Sequence, residues 1–483
     1  MSIFKSLFNN TALYGLAMVI PRAIAFVLLP LYTDQLSTEM YSQLTIIMSY
    51  FIFANVMLSY GMETTFFRFY TKTDNATDTI KTSFYSVLAT SLLALGILLF
   101  WSESIGAFMN VKTEFVRLFT WTLILDAIAI IPFAWLRATS KPLYFAGVKI
   151  MNTCINLGLN VFFLIYLKKL ADTSLFWKTL YEPNQELYYV LLSMVIASAI
   201  TLVLLLPFLK YLSGSFSTTL WKQMLKYTWP ILVAGLSFSI NETLDKILLS
   251  RLLPENEAEV AVGAYGACYK LAVFMTLFAT AFRLGIEPFF FSYAKKLDAP
   301  KMYALITKYF VLFGSLILIV VTACLPVLKV LFIKNTELWG ALSVVPLILI
   351  ANLCLGIYHN LSVWYKVTDR THFGALISVV AAILTITTNI LLIPRIGYVG
   401  SAIATLIAYA SMMFLSLFIG RKYYPIPYDF KRISLYFLVS IGGSLFIAES
   451  GNYMYLYSVP LVILYVSLIF VLERKEIFRL IKQ

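Results

Sequence analysis

Charge is what this sequence has least of. Asp, Glu, Lys and Arg make up 13% of its 483 residues, about half the share of a soluble domain. A surface so poor in charge cannot face water over its whole area, which excludes a soluble enzyme or binding module. Histidine is nearly absent: His359 and His372 are too isolated to build a metal centre. The four cysteines, Cys154, Cys268, Cys324 and Cys354, all sit inside apolar runs. They indicate neither a disulfide framework nor a metal motif, so no metal or cofactor is expected. No G-x-x-x-x-G-K-S/T phosphate loop occurs, so the chain is not expected to hydrolyse ATP. No A-x-A-like site follows the first apolar run, and that run is expected to stay as a helix. The longest outer loop, Lys168 to Glu186, carries no catalytic cluster, and no enzymatic activity is expected.

What is there instead is apolar and aromatic: 60% hydrophobic and 16% Phe, Trp and Tyr, with a mean hydropathy of +0.84. Runs long enough to cross a bilayer recur near 11–33, 41–67, 82–101, 116–136, 143–167, 187–209, 228–252, 262–287, 303–325, 339–365, 372–393, 397–419, 432–449 and 453–472. The expected fold class is an all-α polytopic membrane protein of about 14 transmembrane helices. Residues 3–8 (IFKSLF) read as a short interfacial foot. The net charge of +13 would point to nucleic acid in a soluble chain. Here most Lys and Arg fall on one side, which is the cytoplasmic side by the positive-inside rule. Both termini are then cytoplasmic, and no nucleic-acid partner is expected.

The chain contains one stretch twice. Shifted by 224 positions, Arg22 meets Lys246, Tyr41 meets Tyr265, Gly61 meets Gly285, Glu63 meets Glu287 and Phe66 meets Phe290. A second register, at 229, pairs Trp135 with Trp364, Arg137 with Lys366, Thr139 with Thr368, Lys141 with Arg370 and Asn160 with Asn389. Two similar halves in one membrane chain are the mark of a transporter whose halves rock around a central site. The expected division is an N-terminal lobe, 1–211 (helices 1–6), and a cytoplasmic linker, 212–227. A C-terminal lobe, 228–420 (helices 7–12), follows, with helices 13 and 14 at 430–473 and a cytoplasmic tail at 474–483. The two six-helix lobes are pseudo-symmetric, and the last two helices lie outside the repeat.

A basic side chain at mid-helix in a bilayer costs roughly 2.5–3.5 kcal/mol, so its repetition at one register marks candidate function. Arg22, Lys246 and Lys270 are the candidate substrate-binding cations of a central cavity. Arg22 has no carboxylate at helical spacing in its own helix, so its partner comes from another helix or from substrate. Lys246 is either a substrate contact or half of a structural pair with Glu242, one turn back; Asp245 points about 100° away on the helix. Glu63 and Glu287 are candidates for ion coupling, set against a plainer reading as partners of Arg68 and Arg283. Asp126, at mid-helix without a near cation in sequence, is the stronger coupling candidate. Pro21, immediately before Arg22, is expected to kink its helix.

Several stretches resemble bacterial polysaccharide flippases of the MOP superfamily. They are IPRAIAFVLLPLYTDQLSTEMYSQLT and GMETTFFRFY in the first half, and ETLDKILLSRLL, VGAYGACYKLA and YVGSAIATLIAYASMMFLSLFIGRKYYPIPYD in the second. The resemblance implies a MATE-like pair of lobes in the bacterial inner membrane. It also implies movement of an undecaprenyl-diphosphate-linked oligosaccharide to the outer leaflet, for polysaccharide or O-antigen biosynthesis. The partners implied are that lipid-linked glycan, membrane lipid, a coupling ion (H+ or Na+) and a glycan polymerase of the same pathway. Where the family commonly has Asp-Arg, this chain has Asp245-Lys246, which keeps the charge but loses the bidentate fork. The alternatives are a lipid II flippase, a MATE-type multidrug exporter, and an integral-membrane glycan polymerase or ligase. A cation exporter wants carboxylates where this chain has Arg22, Lys246 and Lys270.

Overall fold

The structure is a computed structural model that describes residues 2–72, 76–294, 296–451 and 454–481, with side chains from residue 19 onward except 72, 288, 454–455 and 475–481. The side chains of the expected interfacial foot and of the tail beyond Arg474 therefore lie outside the described residues. The fold is 89% helical, without a strand among the described residues. It divides into two compact units, Met1–Gly263 and Ala264–Gln483.

The first unit holds α1 (Ser2–Gln35), α2 (Thr38–Ser59), α3 (Met62–Lys72), α4 (Ala76–Phe100), α5 (Thr113–Ala138), α6 (Pro142–Val161), α7 (Glu186–Leu204) and α8 (Thr218–Leu252). Its hub is α5, which packs against α2, α3, α4 and α7. Two-thirds (67%) of its apolar span is buried inside the protein, the highest share in this unit. A helix apolar on all sides is stable only in such a position. Met62, Phe66, Phe84, Trp135, Phe145 and Phe208 form the core around its C-terminal end. The starts of α2 and α8 are capped by Ser37 and Ser217, whose hydroxyls accept from the backbone N–H of Met40 and Leu220, satisfying donors a helix cannot satisfy itself. Asp78, at the start of α4, accepts from the backbone N–H of Ser215 at 2.7 Å and so pins the segment leading into α8. The expected linker 212–227 is helical from Thr218 onward.

The chain continues through α9 (Glu255–Leu271), α10 (Val273–Tyr293), α11 (Ala299–Ala323), α12 (Val344–Leu361), α13 (Val363–Val367), α14 (His372–Tyr423), α15 (Phe430–Glu449) and α16 (Met454–Ile481). The hub of the second unit is α12, continued by α13, with 83% of its apolar span buried. It occupies the same place in the 229 register as α5 does in the first unit. The last two helices are fastened to α11 by one buried carboxylate. Glu473 accepts from Lys308 Nζ at 3.0 Å, Arg432 Nη1 at 3.1 Å and the Tyr436 hydroxyl at 2.6 Å. A charge out of water is stable only when its oxygens are satisfied in this way.

Among the described residues, eleven helices are long and apolar enough to cross a membrane. One of them, α14, is two expected spans fused, with non-helical backbone at Ile396 and Gly397 between them. The expected spans 11–33 and 228–252 lie on α1 and α8, which that measure does not include. The two repeats break their second helix in different places. In the first the break is at Tyr60–Gly61, where Gly61 takes φ +73° and packs so close to Ile231 that a Cβ would stand 2.6 Å from it. In the second the break comes earlier, at Ala272 between α9 and α10, and Gly285 lies inside a continuous helix.

Candidate substrate site and coupling groups

The two registers of the repeat, separate in sequence, meet in each unit as an ion pair. Arg137 Nη2 lies 2.6 Å from Glu63 Oε1, and Lys366 Nζ lies 2.5 Å from Glu287 Oε1. This corrects the expected partner of Glu63 and adds Lys366 beside Glu287. Arg68 stacks over the Tyr227 ring at 4.1 Å, and Arg283 lines a cavity of about 10 Å³, room for one water, beside Glu287, His359 and Lys366. The backbone beyond each cation repeats too. Thr139 and Thr368 hydroxyls both donate to the carbonyl four residues back at 2.8 Å. Ser140 and Asp369 both take left-handed φ, +54° and +55°. The next residues, Lys141 and Arg370, close the turn through N–H bonds to Leu136 and Tyr365 carbonyls, a Schellman-type helix end. Lys141 is thereby set 4.3 Å over the Trp135 ring, and Arg370 is set 4.3 Å over Tyr423. Glu63 and Glu287 are thus halves of matched ion pairs.

The candidate cations are distributed unequally. Arg22 is exposed on α1, one residue after Pro21. It lies within electrostatic reach of Glu242 on α8, as does Lys246 on the same helix. The two repeated cations thus both act on one carboxylate within the first unit. Lys246 is held by its neighbour in sequence. Its ammonium lies 2.9 and 3.1 Å from the two oxygens of Asp245 and donates to the Glu242 carbonyl at 3.1 Å. Neighbouring Cβ directions had pointed away from that pair; the four-carbon arm of lysine spans the angle by folding back across the helix. Asp245 is 1% exposed, so the pair is mostly dry. Lys270 lies in the second unit, exposed near the end of α9, after eight consecutive buried residues, 261–268.

Asp126, on α5, accepts from the Ser198 hydroxyl of α7 at 2.7 Å. Sequence showed no cation near it, but α6 supplies one. Lys149 stands in electrostatic reach of Asp126 while its Nζ rests 4.1 Å above the Phe133 ring. The place of Lys149 two turns inside α6 was the available signal. Asn160 and Asn389 are both fully buried and both donate to the carbonyl one turn back, at 2.7 and 2.8 Å.

With this geometry in place, the sequence model described as polysaccharide biosynthesis protein matches residues 7–294. The chain belongs to the polysaccharide biosynthesis protein family. No curated protein matches it in sequence. Its fold is shared with solved transporters. The lipid II flippase MurJ in an inward closed conformation aligns over 96% of this chain and 99% of its own, with a TM-score of 0.73 at 14% identity. An inward-facing multidrug resistance MATE family transporter of the MOP superfamily aligns over 88% and 95%, with a TM-score of 0.60 at 15% identity. A mutant of the Vibrio cholerae MATE transporter VcmN aligns over 88% and 98%, with a TM-score of 0.58 at 15% identity. At those identities the likeness concerns the fold. This family member is thus a multi-pass membrane protein with the MurJ and MATE architecture.

Proposed function

We propose that this protein is a flippase that carries an undecaprenyl-diphosphate-linked oligosaccharide from the cytoplasmic to the outer leaflet of the bacterial inner membrane by alternating access. The observation that carries the reading is that the two repeated cations, Arg22 and Lys246, both lie within electrostatic reach of Glu242. A sugar chain cannot cross hydrocarbon unaided, while its lipid tail stays in the bilayer, so the protein need supply only a hydrated, cationic place for the head group. At an effective dielectric near 20, one cation about 4 Å from a phosphate charge supplies roughly 4 kcal/mol before desolvation. In this reading the charges of Arg22 and Lys246 attract the diphosphate, and Lys270 is a further candidate contact. The fold likeness to the lipid II flippase MurJ favours, as a second reading, a lipid II substrate, whose head is also a lipid-linked diphosphate.

Transport of lipid-linked glycan in reconstituted vesicles tests this. Arg22→Gln is expected to lower it by about tenfold or more, and Arg22→Lys by less, because charge comes first and fork geometry second. A folded Arg22→Gln protein that transports normally would sink the proposal. Vesicles carrying either lipid II or a non-peptide glycan carrier separate the two substrates. In this reading both termini lie in the cytoplasm, the side that carries most of the Lys and Arg. Single cysteines at Lys178 and Lys334 are therefore expected to react with an impermeant thiol reagent from outside, and those at Lys296 and Lys422 are not; the reverse pattern inverts the topology.

A further inference from the structure

The corner built around Trp135 is open to one side in the first unit. A cleft of about 490 Å³ lies there, lined among others by Trp135, Lys141, Tyr144, Pro207, Lys210 and Tyr211. That volume falls within the usual range of small-molecule sites. It forms where the end of α5, the start of α6 and the tight turn Leu206–Tyr211 after α7 come together. Helix ends carrying Trp, Tyr and Lys are the level of lipid head groups. The Trp135 and Tyr211 rings stand 4.4 Å apart, with Lys141 Nζ at 4.3 Å from one and 5.3 Å from the other. Lys141 and Lys210 are both exposed, and the residues lining the cleft include no carboxylate. Two cations on an aromatic floor, with no acidic partner in the lining, form a surface for a phosphate.

The repeat shows that the fold does not require this opening. At the matching place in the second unit, Tyr144 is replaced by Phe373, which packs into the corner. Its ring lies 5.4 Å from Trp364 and 5.1 Å from Tyr423. Trp364 is 1% exposed, and its indole N–H donates to Ser416. In the first unit Tyr144 instead stands in the cleft wall, its hydroxyl donating to the Leu204 carbonyl, and the cleft stays open. We infer that this cleft binds the phosphate-bearing head group of an anionic phospholipid, independently of the transported substrate. Lys141 and Lys210 contact the phosphate as point charges, and Trp135 and Tyr211 bear against the glycerol.

Native mass spectrometry of the full-length protein in detergent, titrated with phosphatidylglycerol, phosphatidylcholine or inorganic phosphate, tests the site. One phosphatidylglycerol is expected to bind more tightly than any phosphatidylcholine. A lysine near an anionic lipid adds about fivefold to affinity. Lys141→Gln or Lys210→Gln should therefore weaken that first binding about fivefold, and the double variant about thirtyfold. Lys141→Arg should retain it, and Arg370→Gln in the closed corner should leave it unchanged. Because both lysines are exposed, unaltered thermal unfolding would show that the variants still fold. Equal binding of both lipids, full affinity in the double variant, or displacement of the lipid by millimolar inorganic phosphate would each overturn the assignment.

Discussion

In the first unit Arg137 reaches Glu63, and in the second Lys366 reaches Glu287, with the same hydroxyl bond and the same left-handed residue behind each cation. Asp126 has no such counterpart. Carried forward by 229 positions it becomes Leu355, and Lys149 becomes Ser378. The open corner at Tyr144 likewise becomes a closed one at Phe373. What the halves share is helix-end chemistry that two copies of one bundle both need. What they do not share is Asp126 with Lys149 in its electrostatic reach inside one bundle and a cationic cleft on its rim, neither of which the fold requires twice. The unshared features are therefore functional candidates in addition to the repeated cations Arg22 and Lys246.

The largest expected effect follows from that asymmetry. If Asp126 takes up the driving ion, Asp126→Asn abolishes ion-driven transport in proteoliposomes while expression and substrate binding persist. The neutral pair Asp126→Asn with Lys149→Gln restores any stability lost through the unpaired lysine without restoring transport. A purely structural pair would show the reverse, with transport returning alongside stability. Normal transport by Asp126→Asn would remove the distinction drawn between the halves.

A smaller effect tests what the halves share. Both ion pairs are partly exposed, with side-chain exposures of 31% and 45% for Arg137 and Glu63 and of 29% and 36% for Lys366 and Glu287. Pairs of this kind couple by up to about 1 kcal/mol. Double-mutant cycles on Glu63/Arg137 and on Glu287/Lys366, read by chemical denaturation, should return similar couplings. A cycle near zero in one unit and large in the other would show that only one of the pairs is structural.

Much of this was legible in the sequence because charge and tryptophan are rare in apolar chains. A repeated Glu63 and a repeated Arg137 stand out, and the two offsets located both halves of each pair. Their partnership was not legible, since it needs helices from two registers brought together; the nearer Arg68 and Arg283 were the natural local choice. The Asp245–Lys246 contact was missed for a different reason. Helical geometry fixes where a Cβ points, but not where a flexible lysine ends. The cleft was hidden because its decisive difference, Tyr144 against Phe373, is a change between two aromatics that hydropathy does not register.

The smallest effect comes from the two matched asparagines. Asn160 and Asn389 are equally buried and make the same bond one turn back. Asn389 also accepts from the Ser401 hydroxyl at 3.1 Å, tying the two halves of the broken α14 across Gly397. The Asn160 amide donates besides to the Asn156 side chain, a contact within one helix, and its own side-chain oxygen is buried without a partner among the described residues. Bonds between membrane helices contribute about 0.6 kcal/mol on average, while a bond within one helix survives partial unfolding in the bilayer. Asn389→Ala should therefore destabilise more than Asn160→Ala, by about 0.6 kcal/mol. Ser401→Ala should remove most of that difference. Equal losses from the two asparagine variants, unaffected by Ser401→Ala, would mean that the second unit gains nothing from the bond across its break.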